Sequence, residues 1–254
     1  MEGEKKMRFI LVNFLAVAVG LGAAQGAFAD EPADNSPVAD EVVDYNWTGF
    51  YVGAHAGYGW GDNSWKFPLN EYYNLAPGDD FSADPEGFMG GIHGGYNRQM
   101  GRWVFGVEAS YDPTTINEKN AGAVTPVFPD DTFKTRIEDV YTVTARAGYT
   151  YNAWLFYAKG GWASAKLSLN AVSGNPGAGV TASVDERING GTVGIGAEYM
   201  FTPHLVAGVA YDWMGLESAS FSSTTSGTLP GLPFHIKSRN FDLQMITARI
   251  SYKF

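Results

Sequence analysis

The 254-residue chain contains no cysteine, which excludes disulfide bonds and thiolate metal ligands. Basic residues are scarce, with 17 Lys and Arg against 27 Asp and Glu and a net charge of −10. Because phosphate binding requires a basic surface, this charge balance argues against nucleic acid as a partner. Apart from a short apolar run near the amino terminus, no apolar run approaches the roughly 20 residues that a membrane-spanning helix requires.

Sequence motifs for nucleophilic, phosphate-binding or zinc chemistry are also missing. We find no G-x-S-x-G, no P-loop and no H-E-x-x-H. We therefore expect a protein that is not an enzyme and that holds no metal ion and no cofactor. A lipid-modifying membrane enzyme remains a remote alternative.

The amino terminus has the pattern of an export signal. A basic stretch and a short apolar run precede an A-x-A cleavage site at 27–29, which predicts a signal peptide over 1–29. Either Met1 or Met7 is the true start. Residues 30–45 hold six acids, two prolines and no base, so we expect an acidic, disordered periplasmic linker.

The remaining residues, 46–254, show the period-2 alternation of half-buried β-strands. The predicted strands are 47–60, 87–99, 103–111, 140–151, 154–168, 188–200, 204–213 and 241–254. Short and long connections alternate between these eight segments, as in outer-membrane barrels. The sequence therefore predicts an all-β fold, an eight-stranded antiparallel up-and-down transmembrane β-barrel with short periplasmic turns and four long extracellular loops.

Aromatic residues and glycines support this fold. The chain has 7 Trp, 14 Tyr and 16 Phe, and many lie near strand ends, as in the aromatic belts at membrane interfaces. In the stretch NWTGFYVGAHAGYGWG, which begins at Asn46, parity places Gly53 and Gly57 in the lumen and Ala54 on the lipid side. We expect leucine at Gly53 or Gly57 to impair folding, and leucine at Ala54 to be tolerated.

Three motifs resemble those of a known family: N-W-T-G-F-Y-V-G at Asn46, G-G-x-x-G-Y-N at Gly90, and the ending A-R-I-S-Y-K-F. Together they resemble the small outer-membrane surface antigens of alphaproteobacteria, which belong with the OmpA-like and opacity-like eight-stranded barrels. The resemblance implies location in the cell outer membrane and an insertion signal formed by Tyr252 and Phe254. It also implies outer-membrane lipid, lipopolysaccharide and the barrel-assembly machinery as partners. The OmpA-type periplasmic domain does not follow this barrel, so we expect no peptidoglycan anchoring through one.

Charged residues on the lumen face form the main candidate site. The members are Glu108, Arg146, Lys159, Glu198 and Arg249. A charged gate or ion path is one interpretation, and structural packing of paired charges in a narrow barrel is the other. We favour packing.

The histidines are the second candidate. His55 and His93 point into the lumen from adjacent strands, and a hydrogen-bonded pair is favoured over a metal or haem site because the local pattern offers no carboxylate. His235 lies in the fourth predicted loop and is the candidate loop ligand for haem. The acidic first loop is interpreted as solvated, with a divalent cation as the lesser alternative.

Beside the remote possibility of a lipid-modifying enzyme, these observations leave two functions open. The favoured one is a surface barrel that supports the envelope and contacts a host molecule or haem through its loops. The alternative is a narrow, porin-like diffusion channel.

Overall fold

The computed structural model describes residues 45–66, 80–121, 132–172, 180–218 and 220–254. Within these ranges the alternating sequence forms eleven strands. They are β1 Gly49–Lys66, β2 Asp80–Ala83, β3 Glu86–Met100, β4 Trp103–Pro113, β5 Asn117–Ala121, β6 Thr132–Tyr151, β7 Trp154–Val172, β8 Thr181–Met200, β9 Leu205–Leu216, β10 Ser220–Thr224 and β11 Pro233–Lys253. The described part of the chain contains no helix long and apolar enough to span a membrane.

Eight of the strands close into a barrel. Their order around the ring is β1, β3, β4, β6, β7, β8, β9 and β11, and β11 pairs antiparallel with β1, with His55 opposite Arg249. Closure leaves no open sheet edge in the wall, which is what a sheet in hydrocarbon requires. The predicted fold class is confirmed. The short strands β2, β5 and β10 add pairings at one end of the barrel.

The connections are sorted by end, as predicted. Adjacent strands are joined tightly at residues 101–102, 152–153 and 201–204, whereas the long connections lie at the opposite end. The strands reach further into these long connections than the alternation predicted. β6 begins at Thr132 instead of residue 140, and β8 begins at Thr181 instead of residue 188.

The part of the barrel next to the short turns is apolar outside and polar inside. We call it the membrane half; it ends at the ladder pair Trp162 and Gly191. Outward-facing Phe156 is 51% exposed and Ile195 is 63% exposed. Trp154 and Trp162 point outward eight residues apart on β7, about 26 Å along a strand that rises about 3.3 Å per residue. Because barrel strands are tilted, this spacing suits an apolar band about 25 Å tall.

Beyond that pair the same strands reverse their polarity, in what we call the outer half. The inward positions of β7 become Ala163, Ala165, Leu167, Leu169 and Ala171, all buried. On β8, inward Val184 and Ile188 are buried while outward Asp185 and Arg187 are exposed. Together with residues from the other strands, these side chains form a large apolar core. The outer half is therefore built like a water-soluble β-protein.

The predicted signal peptide and almost all of the predicted linker lie outside the described residues. Tyr45, the last residue assigned to the linker, is described. Its partly buried side chain packs against an apolar cluster at the short-turn end of the barrel.

Candidate functional site: the lumen ion network

The polar side chains inside the membrane half form one hydrogen-bonded network. Alternation directs every second side chain inward, and each of the eight barrel strands contributes at least one member. We call this set the lumen ion network: Tyr51, Asn97, Glu108, Arg146, Tyr157, Lys159, Glu198, Asp212 and Arg249.

Glu108 on β4 lies at the centre of this network. Its Oε1 accepts hydrogen bonds from Lys159 Nζ at 3.4 Å and from Arg249 Nη1 at 3.3 Å. Its Oε2 accepts from the Tyr51 hydroxyl at 2.9 Å and from Arg146 Nη1 at 3.3 Å. Arg249 Nη2 donates to the same oxygen. Both carboxylate oxygens are thus held by donors from other strands.

Glu198 on β8 forms the second carboxylate centre. Arg146 donates to it in a bidentate fork, from Nη1 to Oε1 at 3.2 Å and from Nη2 to Oε2 at 3.0 Å. Arg249 Nε lies 3.2 Å from Oε1. The Arg146 guanidinium also lies over the rings of Tyr51 and Tyr157, with its carbon 4.9 Å and 4.7 Å from their centroids.

The charges of the network balance. Asp212 pairs with Lys159 at 3.1 Å, so three carboxylates face three cations in a space closed to solvent. Removing one member of such a set leaves an uncompensated buried charge, which costs about 3–5 kcal/mol. The arrangement links strands from around the whole barrel.

Glycines on the lumen face give the network its room. A Cβ atom at Gly95 would lie 2.6 Å from the Tyr51 hydroxyl oxygen, and one at Gly208 would lie 2.8 Å from Glu198 Cγ. Such approaches are far below normal contact distances. Tyr51 is the ladder partner of Gly95, and Glu198 is the ladder partner of Gly208. The glycines therefore make room for large inward side chains that lean over them from the neighbouring strand.

The two lumen histidines contact each other. His55 Nδ1 lies 3.0 Å from His93 Nδ1, and His93 Nε2 lies 2.8 Å from Ser251 Oγ. His55 Nε2 contacts Asp112 Oδ1, so the sequence-based expectation of no nearby carboxylate is wrong. Asp112 was missed because the predicted strand ended at residue 111, whereas β4 continues to Pro113.

Apolar side chains close the lumen on both sides of the network. Toward the short turns lie Trp47, Val104, Leu155, Met200 and Val206; toward the long connections lies the core of the outer half. Between the network, the histidines and that core lies a cavity of about 20 Å³. It is lined by charged network members such as Glu108 and Lys159 as well as by Met89, Met214 and Met245. This volume suits about one water molecule.

The other predicted site residues are placed as follows. His235 lies in β11 opposite Ser222 of β10, so its predicted position in a loop is wrong. Tyr252 and Phe254 are exposed at the short-turn end, with their rings 5.2 Å apart. Within the described residues, no group of three or more His, Cys, Asp or Glu side chains is arranged to hold a metal ion.

The acidic first loop is described only in part, because residues 67–79 lie outside the described ranges. Asp80–Ala83 form strand β2 and not a loop. Partial burial and the Asp62 carboxylate raise the pKa of Asp84 above its usual range.

The sequence-based prediction placed five charged residues in the lumen and missed four further members of the network. These are Tyr51, Asn97, Tyr157 and Asp212, to which the sequence analysis gave no role in a charge network. Strand parity would have found Asp212, because it shares the inward face of β9 with Val206 and Ala210.

A closed barrel with an apolar outer band and a charged, filled interior defines an outer-membrane β-barrel protein. The family model for the outer membrane protein beta-barrel domain matches residues 14–254, and the chain belongs to this family. Its relatives include the 31 kDa outer-membrane immunogenic protein of Brucella melitensis biotype 1, which is 29% identical over 195 residues, covering 75% of this chain and 79% of the relative. The 25 kDa outer-membrane immunogenic protein of Brucella canis is 26% identical over 244 residues, covering 96% and 94%.

Among solved structures, the outer membrane protein OprG from Pseudomonas aeruginosa matches with a TM-score of 0.54 and 16% identity, covering 82% of this chain and 97% of that one. At this identity the match supports the fold alone. The fold and the relatives place the protein in the cell outer membrane, as predicted, with the short turns on the periplasmic side and the long connections outside the cell.

Proposed function

We propose that this protein is a structural, non-conducting barrel that carries its outer half beyond the membrane as a surface for contact with other molecules. The observation that supports this most directly is the lumen ion network. Both oxygens of Glu108 and both oxygens of Glu198 accept hydrogen bonds from cationic side chains of other strands. The carboxylates are therefore already paired, and the paired side chains block the path of an ion through the lumen.

The apolar clusters on either side of the network support the same proposal. An ion that crossed the barrel would have to pass the buried side chains of Leu155 and Val104 at one end and those of Leu243 and Phe241 at the other. Entering an apolar layer without water is costly for any ion. The narrow diffusion channel is therefore the less favoured function.

The outer half provides the surface for contact. The curated relatives are named as immunogenic proteins of the outer membrane, which supports exposure of this part at the cell surface. Its outward residues on β8 and β6 include charged pairs such as Arg187 with Asp139 at 2.6 Å. We propose contact with a host molecule there. His235 lies within a strand and so carries no haem proposal.

The remaining partners follow from the location. The lipid-facing wall of the membrane half contacts outer-membrane lipid, with lipopolysaccharide around the end that leads into the outer half. Exposed Tyr252 and Phe254, at the end of the strand that closes the barrel, suit recognition by the barrel-assembly machinery. We propose no enzymatic activity.

Planar-bilayer recording tests this proposal. The folded protein should give no steady conductance steps, because the network and the two apolar clusters block the lumen. A matched pair of variants sharpens the result: Arg146→Ala opens the network, whereas Arg187→Ala changes an exposed arginine of the outer half. Steady steps in the unmodified protein that change with Arg146→Ala and not with Arg187→Ala would overturn the proposal in favour of a channel.

A further inference from the structure

The outer wall of the membrane half carries an apolar groove with a volume of about 580 Å³, which we call the lipid-side groove. Small residues make its floor: Ala147 on β6 lies directly opposite Ala158 on β7 in the ladder, and Ala197 on β8 is nearby. Larger exposed side chains form its walls, including Phe156 and Ile195. The residues that line it carry no formal charge. A hydrocarbon chain is the occupant that such a surface fits inside a membrane.

An arginine side chain lies at the periplasmic end of the groove, where a hydrogen bond holds its guanidinium group. Arg102 lies in the short turn between β3 and β4, and its Nη1 donates a hydrogen bond to the Tyr149 hydroxyl at 3.2 Å. Tyr149 and Trp103 both line the groove, and their rings meet edge to face at 5.4 Å. The aromatic pair therefore connects the guanidinium group to the apolar surface.

The guanidinium has donors to spare. Arginine carries five N–H groups in a planar fork, and the bond to Tyr149 uses one of them. The fork matches the oxygen atoms of a phosphate, which it binds through paired hydrogen bonds. In a zwitterionic headgroup an ammonium already offsets the phosphate charge and repels the guanidinium, so a headgroup with net negative charge is the better match. Because Arg102 is exposed, a phosphate in the headgroup layer can reach it.

From the cation and the groove together, we propose a binding site for one anionic phospholipid of the periplasmic leaflet. Arg102 binds the headgroup phosphate, Trp103 and Tyr149 lie at the glycerol level, and one acyl chain occupies the groove over Ala147 and Ala158. The site is on the outside of the barrel and does not depend on whether the lumen conducts.

Native mass spectrometry of the folded protein tests the site. The protein is released from neutral detergent in the presence of phosphatidylglycerol or phosphatidylcholine with identical acyl chains. We expect one phosphatidylglycerol to be retained in preference to phosphatidylcholine. Arg102→Gln should weaken phosphatidylglycerol binding about tenfold, since it removes a charge-assisted hydrogen bond. Ala158→Leu should weaken the binding of both lipids, because leucine fills the floor.

Two control variants separate the site from general membrane attraction. Arg98→Gln removes a positive charge near the short-turn end of the barrel from a residue outside the groove lining. Ala54→Leu enlarges a lipid-facing residue on another wall. Both should bind phosphatidylglycerol as the unmodified protein does, and all variants should remain folded as judged by heat-dependent gel mobility. Equal retention of the two lipids, an equal loss with Arg98→Gln, no loss with Ala158→Leu, or replacement of phosphatidylglycerol by lipopolysaccharide would each overturn the proposal.

Discussion

The membrane half and the outer half of this barrel are made from the same strands with opposite polarity. On β8, the even-numbered residues take the inward positions, with Glu186 as an exposed exception in the outer half. In the membrane half, the inward Thr192 and Glu198 are polar and the outward Ile195 is apolar. In the outer half, the inward Val184 is apolar and the outward Asp185 is charged. The backbone geometry is continuous, and only the surrounding solvent differs.

This difference shows that two separate driving forces stabilise one continuous sheet. The outer half buries apolar side chains away from water, as soluble proteins do. The membrane half already has hydrocarbon outside, and its interior is held mainly by ion pairs and hydrogen bonds, with a small apolar cluster at the short-turn end. A single substitution should therefore have opposite consequences according to the half and the face in which it lies.

The largest effect is expected inside the membrane half, where inward side chains lean over glycines of the adjacent strands. A Cβ atom at Gly53 would lie 2.6 Å from His93 Nε2 and 2.7 Å from Ser251 Oγ. Gly53→Leu should abolish folding, seen as loss of the heat-sensitive band shift in gels. Ala54→Leu points toward lipid and should fold normally. A normally folded Gly53→Leu variant would show that the lumen is wider than the structure indicates.

A smaller effect is expected on the outward face, and it should depend on depth. Ile195 lies opposite Ala158, midway between Trp154 and Trp162 on the neighbouring strand. Ile195→Arg should destabilise the barrel by about 2–4 kcal/mol, as arginine does at the bilayer midplane. Asn189→Arg, on the same face of β8 in the outer half, should cost almost nothing. Urea unfolding in lipid vesicles measures both, and equal costs would contradict the division into two halves.

The sequence was sufficient to predict the barrel, its eight long strands and the inward side of its charged residues. Period-2 alternation specifies these features wherever each face has a constant polarity. On β8 the predicted strand stopped close to the point where that polarity reverses, at Ile188. On β6 a register shift between Ile137 and Asp139 also interrupts the alternation, so the strand was predicted to begin near residue 140.

Which lumen side chains contact each other was harder to predict than which side chains face the lumen. Parity shows that Glu108 and Arg146 both face inward, but pairing depends on register and on the distance across the barrel. Tyr51 and Tyr157 show the limit most clearly. They look like ordinary inward aromatics in the sequence, yet their rings enclose the Arg146 guanidinium from two different strands.

The central claim is the reversal of polarity along continuous strands, and site-directed spin labelling of β8 tests it most directly. The chain has no cysteine, so a single introduced cysteine carries the only nitroxide. Labels are placed on the outward face at Asp185, Arg187, Asn189, Val193, Ile195 and Ala197. We expect the first three to be accessible to a water-soluble nickel complex and the last three to oxygen dissolved in lipid, with the change between Asn189 and Val193. Uniform accessibility along the strand, or lipid contact at Asp185, would contradict the account.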